Sequence, residues 1–123
     1  MKTVFCIDDD LNSLKLIQEQ IKFINPDIKL ITENKSENAM ELFINNSNTI
    51  DLVFLDVQIP SINGYDLLIL MKKAKPRIPV IMITASTGNR EYDYVIKKLG
   101  ASEYLVKPLL KDRLIEVLDK YLI

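Results

Sequence analysis

Five short apolar runs, separated by segments with helical spacing, constrain the fold of this chain more than any other feature. Between the runs, apolar residues recur three and four positions apart, the spacing of an amphipathic helix. Strands that are apolar on both faces and alternate with helices predict an α/β fold, a doubly wound parallel sheet with helices on both sides. The runs are Val4–Ile7, Ile28–Thr32, Leu52–Leu55, Val80–Ile83 and Tyr104–Val106.

The 123 residues, 48% of them hydrophobic, are enough for one domain with one sizeable core. We therefore expect residues 1–123 to form a single domain. Cys6 sits within the first apolar run and is expected to be a core residue. Lys29 in the second run predicts a strand at the edge of the sheet.

Capping residues predict where the first three helices begin. Asp10 is expected to cap the first helix, because carboxylates favour helix N-termini. Asn34, with Glu37 three residues later, predicts the start of the second helix. Asn63 predicts the cap of the third, which would place Leu67, Met71 and Ala74 on one face.

Two more helices are predicted in the last third of the chain. Apolar residues from Tyr92 to Leu99 follow the helical spacing, and Gly100 suits the position just after a helix end. The apolar residues expected to line the last helix are Leu110, Leu114, Val117, Leu118 and Tyr121.

Polar residues end four of the five predicted strands. Asp8–Asp10 follow the first strand, Asp56 ends the third, Thr84 ends the fourth and Lys107 ends the fifth. Because parallel strands have their carboxyl ends at one edge, and ligands bind there, these side chains are expected to share one crevice.

The chemistry of that crevice favours phosphoryl transfer. Clustered carboxylates repel each other unless a positive charge lies between them, and Mg²⁺ is a hard cation that takes oxygen ligands. Lys107 adds a compact positive charge and Thr84 adds a hydrogen-bond donor. Together they would form an electrostatic clamp for a transferring phosphoryl group, with Asp56 as the nucleophile.

Composition excludes several other functions. The chain has no histidine, which excludes Ser-His-Asp and Cys-His catalysis, a His-ligated zinc site and a phosphohistidine on this chain. One cysteine cannot form an internal disulfide, which favours a reducing compartment and a cytoplasmic location. The net charge of −1 argues against direct nucleic-acid binding. The longest apolar run, Leu67–Met71, is far too short for a membrane span.

The order and spacing of these motifs resemble the receiver domains of two-component response regulators, of the CheY-like type. The matching segments are Ile7–Asp10, Asp56–Pro60, Gly64, Ile83–Ala85 and Leu99–Pro108. The resemblance extends over nearly the whole chain. It implies a flavodoxin-like strand order, 2-1-3-4-5.

The resemblance also implies a metal site. Asp9 would bind Mg²⁺ directly, and Asp8 would assist through the metal or its water. Asp56 and the backbone carbonyl of Gln58 would complete the protein ligands.

Further residue roles follow from the same resemblance. Asp56 would be the phosphoacceptor, and Lys107 would pair first with Asp56 and then with the phosphoryl group. Thr84 would move to donate to a phosphoryl oxygen, and Tyr104 would be the aromatic switch that turns inward when Thr84 moves. The Lys107–Pro108 peptide bond would be cis, which X-Pro bonds permit.

The expected function is phosphorelay signal transduction. A sensor histidine kinase or a histidine phosphotransfer protein would supply the phosphoryl group, and the modified chain would bind a downstream protein target. The chain would catalyse its own phosphorylation and autodephosphorylation rather than act as a conventional enzyme. No contact with nucleic acid or membrane is expected.

Two alternatives stay open at this point. A flavodoxin-like FMN carrier would need a phosphate-cradling loop after the first strand, where this chain has three aspartates. A receiver that has lost phosphorylation would serve only as a protein-interaction module.

Overall fold

A computed structural model describes residues 1–85 and 97–122. Its strands are β1 (Thr3–Ile7), β2 (Lys29–Glu33), β3 (Ile50–Asp56), β4 (Val80–Thr84) and β5 (Glu103–Val106). Its helices are α1 (Leu11–Ile24), α2 (Ser36–Asn45), α3 (Gly64–Ala74) and, last in the chain, α4 (Lys111–Tyr121). Most of the helix predicted between Tyr92 and Leu99 lies outside the described residues.

The five strands form one parallel sheet in the order β2-β1-β3-β4-β5, which confirms the predicted fold. β2 is an edge strand, as Lys29 predicted. The register brings the strand ends level: Ile7 pairs with Leu55, Asp56 with Ile83, and Thr84 with Val106. The polar residues at these ends therefore meet along one edge of the sheet.

Each face of the sheet carries its own core, which explains why the strands are apolar throughout. Neighbouring residues of a strand point to opposite faces, so Phe5 belongs to one core and Cys6 to the other. The first core includes residues of α2 and α3, namely Phe43, Leu67 and Met71. The second includes residues of α1 and α4, namely Leu14, Ile17, Ile21, Leu114, Val117 and Leu118.

Two of the predicted helix caps are confirmed. Asp10 is the N-cap of α1, and its carboxylate accepts hydrogen bonds from the Asn12 amide and the Ser13 hydroxyl. Asn63 is the N-cap of α3, and its side chain accepts from the Asp66 amide. Gly100 has a φ of 85°, a conformation that favours glycine.

The predicted cap of α2 is wrong. The helix begins at Ser36, its N-cap is Lys35, and no side chain caps it. The Glu33 carboxylate instead accepts from the amides of Asn34 and Lys35. These two amides precede the helix, so Glu33 holds the approach to α2 without capping it.

Two of the apolar residues expected to line helices are exposed instead. Leu110 is 67% exposed because α4 begins only after it, and Leu110 occupies the N-cap position. Ala74 is exposed at the last residue of α3. None of the helices in the described ranges is long and apolar enough to cross a membrane.

Candidate functional site

Polar side chains from four neighbouring strands meet at the carboxyl edge of the sheet, as the sequence predicted. Asp8 follows β1, Asp56 is the last residue of β3, Thr84 is the last of β4, and Lys107 follows β5. Asp8, Asp56 and Thr84 are buried, with exposed fractions of 7%, 5% and 0%. Burial of polar groups is costly unless they have partners, so several buried polar side chains at one edge of the sheet indicate a functional site.

Three carboxylates lie close enough to share a cation. Asp8, Asp9 and Asp56 each offer an oxygen, and these oxygens all lie within 4.8 Å of one another. Two oxygens on opposite sides of a Mg²⁺ ion are about 4.2 Å apart, so the cluster fits the ion after a small adjustment. Asp9 is exposed whereas the other two are buried, so the Asp9 carboxylate lies on the solvent-facing rim of the cluster.

Lys107 supplies the positive charge of this cluster. Its Nζ lies 2.8 Å from Oδ2 of Asp8 and 3.3 Å from Oδ2 of Asp56. The expected proximity to Asp56 is present, but the shorter contact is to Asp8, which sequence reasoning did not anticipate. Burial opposes the charged form of Lys107, but the hydrogen bonds and charges of the two aspartates outweigh it and raise the pKa of the ammonium.

The backbone beside Lys107 is held on two sides. Its amide donates to the carbonyl of Thr84 at 2.7 Å, and the Lys107–Pro108 bond is cis, as the resemblance implied. Gln20 of α1 donates through Nε2 to the carbonyl of Leu109 at 3.3 Å. Sequence reasoning missed Gln20, because nothing distinguishes it from an ordinary polar residue on a helix.

Asp56 has an unusual electrostatic environment. Burial, followed by the hydrogen bond and charge of Asp8, raises the pKa of its carboxyl to about 6, against the lowering effect of the Gln58 amide and Lys107. The Gln58 amide and Lys107 therefore do not fully offset the cost of burying the ionised carboxylate beside Asp8, and an additional cation would stabilise it.

The loop after β3 folds back onto Asp56. The Gln58 amide donates to Oδ1 of Asp56 at 3.1 Å, and the Gly64 amide donates to the carbonyl of Val57 at 2.9 Å. A Cβ at Gly64 would lie only 2.3 Å from the carbonyl oxygen of Asp56, so this close approach requires glycine. The role of the Gln58 carbonyl as a metal ligand stays a prediction.

The two residues expected to switch are both enclosed. Thr84 is fully buried at the end of β4, and Tyr104 is 6% exposed in the core beside α2 and α3. Tyr104 pairs with Met82 across the β4–β5 register. Their movement on phosphorylation stays a prediction.

Comparison with known proteins links this site to one family. Residues 4–119 match the family model described as the response regulator receiver domain. The chain is 31% identical over 120 residues to the autoinducer 1 sensor kinase/phosphatase LuxN of Vibrio harveyi, covering 98% of this chain and 13% of LuxN. It is 32% identical over 108 residues to the response regulator SaeR of Staphylococcus aureus, covering 88% of this chain and 45% of SaeR. The chain thus spans less than half the length of these relatives.

Solved structures agree with the fold. A response regulator receiver domain protein from Clostridium thermocellum is 28% identical, with a TM-score of 0.87 and coverage of 98% of this chain and 94% of that one. The BeF3-activated receiver domain of DrrB, a Thermotoga maritima protein, is 25% identical, with a TM-score of 0.83 and coverage of 99% and 97%.

Proposed function

Because the chain belongs to the family of response regulator receiver domains of two-component phosphorelay signalling, we propose that Asp56 is its phosphoacceptor. One observation carries the proposal. Asp56 is a buried carboxylate with two further aspartates and a lysine around it, at the carboxyl edge of a parallel sheet. That combination provides a nucleophile together with the charges needed to receive a phosphoryl group.

We propose Mg²⁺ as the cofactor, held by Asp8, Asp9 and Asp56 with the backbone carbonyl of Gln58. The all-oxygen donor set and the spacing of the three carboxylates support a hard divalent cation. The bound ion would neutralise the charge that builds up between an incoming phosphoryl group and the aspartates. The BeF3-activated state of the DrrB receiver is consistent with a phosphoryl-binding site in this family.

The proposed transfer needs no proton from Asp56. An oxygen of the ionised carboxylate attacks phosphorus while the P–N bond of a donor phosphohistidine breaks, and the bonding electron pair returns to the imidazole. Lys107, already 3.3 Å from Asp56 Oδ2, is placed to bind a phosphoryl oxygen. Hydrolysis by water later breaks the acyl phosphate, regenerates the carboxylate and releases inorganic phosphate.

The proposed output is a change of surface. The Thr84 hydroxyl would donate to a phosphoryl oxygen, and the space vacated by its movement would allow Tyr104 to shift within the core. The phosphoryl donor would be a sensor histidine kinase or a histidine phosphotransfer protein, because these 123 residues contain no histidine that could carry the group. The modified chain would then bind a downstream protein target.

The test is labelling with acetyl phosphate, which removes the need for the cognate kinase. With Mg²⁺, intact mass spectrometry is expected to show the addition of one phosphoryl group, and chelation of the metal should abolish it. The Asp56→Asn variant should not gain the group, while the exposed Asp119→Asn variant serves as the matched control and should label normally. Equal labelling of Asp56→Asn and the wild type would refute the proposal.

A further inference from the structure

A tight, strained turn lies in the loop that follows Asp56. The Ile62 amide donates to the carbonyl of Pro60 at 3.0 Å, which makes residues 60–62 a γ-turn. The central residue, Ser61, has a φ of 73°. Among the described residues, no other residue apart from glycine has a positive φ. Such a turn is rare and strained, so it persists only where its surroundings hold it.

Ser36, from a different element, holds this turn. It is the first residue of α2, and it is buried with an exposed fraction of 1%. Its hydroxyl donates to the Pro60 carbonyl and accepts from the Ile62 amide at 3.0 Å. One side chain therefore bonds to the backbone on both sides of Ser61.

The same loop sets the position of the Asp56 carboxylate. Near its start, the Gln58 amide donates to Asp56 Oδ1, and the Gly64 amide closes the loop on the Val57 carbonyl. The middle of the loop is attached to α2 through Ser36. Gln58 lies in the chain between the Ser36 contacts at residues 60–62 and the contacts at Asp56 and Val57. A shift at residues 60–62 would therefore also move the Gln58 backbone.

From these contacts we infer that Ser36 is a positioning residue for the phosphoacceptor site. It holds the strained turn at residues 60–62, and so orients the Gln58 backbone that contacts Asp56. The inference rests on the proposed function, since the oriented loop matters to Mg²⁺ only if the Gln58 carbonyl is a ligand. Small misplacements of a site's groups have large effects on rate, so a hydroxyl remote from the reacting atoms can matter.

The first test compares Ser36→Ala with Ser47→Ala. Ser47 is the matched control, because its hydroxyl donates to the Ile44 carbonyl at 2.9 Å beyond the other end of α2. We expect Ser36→Ala to weaken Mg²⁺ binding, measured by calorimetry, by roughly three- to tenfold, because a smaller fraction of molecules would hold the competent loop. The labelling rate at limiting Mg²⁺ should fall by a similar factor and recover at saturating Mg²⁺. Ser47→Ala should change neither quantity.

The second test uses Ser61→Gly, which removes the conformational cost of the turn. If Ser36 acts by holding that strain, Ser36→Ala should weaken Mg²⁺ binding less in the Ser61→Gly background than in the wild type. Equal effects of Ser36→Ala in both backgrounds would show that the hydroxyl does not act through the turn, and would overturn the inference.

A third measurement does not depend on metal or phosphate. Amide hydrogen exchange at Gln58 and Ile62 should be faster in Ser36→Ala than in Ser47→Ala, by about the same factor as the loss of Mg²⁺ affinity. If Ser36→Ala lowers only the stability of the protein and leaves both amide exchange and Mg²⁺ affinity unchanged, Ser36 does not position the site and the inference is overturned. Failure of the wild type to label would refute the proposed function, whereas Gln58 exchange would still decide the role of Ser36.

Discussion

The Lys107 ammonium lies closer to Asp8 than to Asp56, with its Nζ 2.8 Å from one carboxylate and 3.3 Å from the other. The ammonium therefore already neutralises part of the negative charge of these two carboxylates, which would otherwise attract a divalent cation.

Lys107→Ala is expected to strengthen Mg²⁺ binding while it slows phosphorylation. Removal of a competing cation should lower the Kd for Mg²⁺ by roughly three- to tenfold, since the aspartates would be free to bind the ion. The rate of Asp56 labelling should fall, because the group that binds the phosphoryl oxygen is lost. Calorimetry and intact-mass time courses would measure the two effects.

The exposed Lys73→Ala variant controls for the loss of a positive charge elsewhere. Weaker Mg²⁺ binding by Lys107→Ala than by Lys73→Ala would contradict the proposed competition.

Asp56→Asn is expected to stabilise the metal-free protein at pH 7.5 by roughly 1–3 kcal/mol. The pKa of Asp56 is raised from its ordinary 3.8 to about 6, mainly by burial and then by Asp8. A raised pKa means that the folded state binds the proton more tightly, so this group's contribution is fully present below pH 3.8 and is lost as pH rises through about 6. Asparagine does not ionise, so the variant keeps the contribution that the wild type loses.

Urea denaturation at several pH values would measure this difference in the free energy of unfolding. The advantage of Asp56→Asn should disappear below about pH 4 and should shrink when Mg²⁺ is added. A constant advantage across this pH range would show that ionisation of Asp56 is not its cause.

Gly64→Ala is expected to destabilise the protein more than Gly100→Ala. A Cβ at Gly64 would lie 2.3 Å from the Asp56 carbonyl oxygen and 2.7 Å from the Val57 Cα, both backbone atoms, so the loop must shift at a cost of about 2 kcal/mol or more. A Cβ at Gly100 would make an ordinary van der Waals contact, 3.6 Å from Cγ of Lys72, and only the φ of 85° is unfavourable, at about 1 kcal/mol. Chemical denaturation would rank the two variants, and only Gly64→Ala should also slow labelling of Asp56.

Glu103→Gln is expected to loosen the attachment of α4 to β5. The Glu103 carboxylate accepts hydrogen bonds from Arg113, Lys120 and the Tyr121 hydroxyl, at 3.0, 3.0 and 2.7 Å. Burial alone would raise its pKa, but these donors outweigh burial and lower it. The stabilisation is therefore present above the ordinary pKa of 4.5 and is lost as pH falls through the lower folded value.

The cost of Glu103→Gln should be about 1–2 kcal/mol at neutral pH. The amide leaves one acceptor oxygen for donors that now use both carboxylate oxygens, and the bond from the Tyr121 hydroxyl loses the strength that the negative charge gives it. The exposed ion pairs contribute little. Thermal or urea unfolding would measure it. Glu116→Gln, which removes the second partner of Arg113 at a 67% exposed side chain, should cost under about 0.5 kcal/mol. Equal costs for the two variants would contradict a special role for Glu103.

The overall arrangement could be predicted from the sequence because it depends on patterns that extend along the chain. Strands buried on both faces must be apolar throughout, so the polar residues at Asp56, Thr84 and Lys107 stood out as strand ends. Parallel pairing then requires those ends to meet. The same reasoning covered Cys6, which is buried in the core beside α1 and α4.

What the sequence could not predict depends on contacts between distant residues. The cap of α2 is a local exception. The capping rule favours Asn34, but α2 begins at Ser36 without a side-chain cap, and the Glu33 carboxylate accepts from the Asn34 and Lys35 amides that precede the helix. Ser36 is 26 residues from Ile62, and no local pattern reports their hydrogen bond. The shorter contact of Lys107 with Asp8 likewise depends on side-chain positions that strand order alone does not determine.

The burial of Cys6 makes this chain convenient for site-specific labelling. Its thiol is 1% exposed, and burial, followed by the nearby charge of Asp8, raises its pKa to about 12. The reactive thiolate is therefore scarce, and the sulfur is shielded from reagents while the protein is folded. A cysteine introduced on the surface should react with a fluorophore or spin label while Cys6 stays unmodified, so distance changes on activation can be measured without first removing the native thiol.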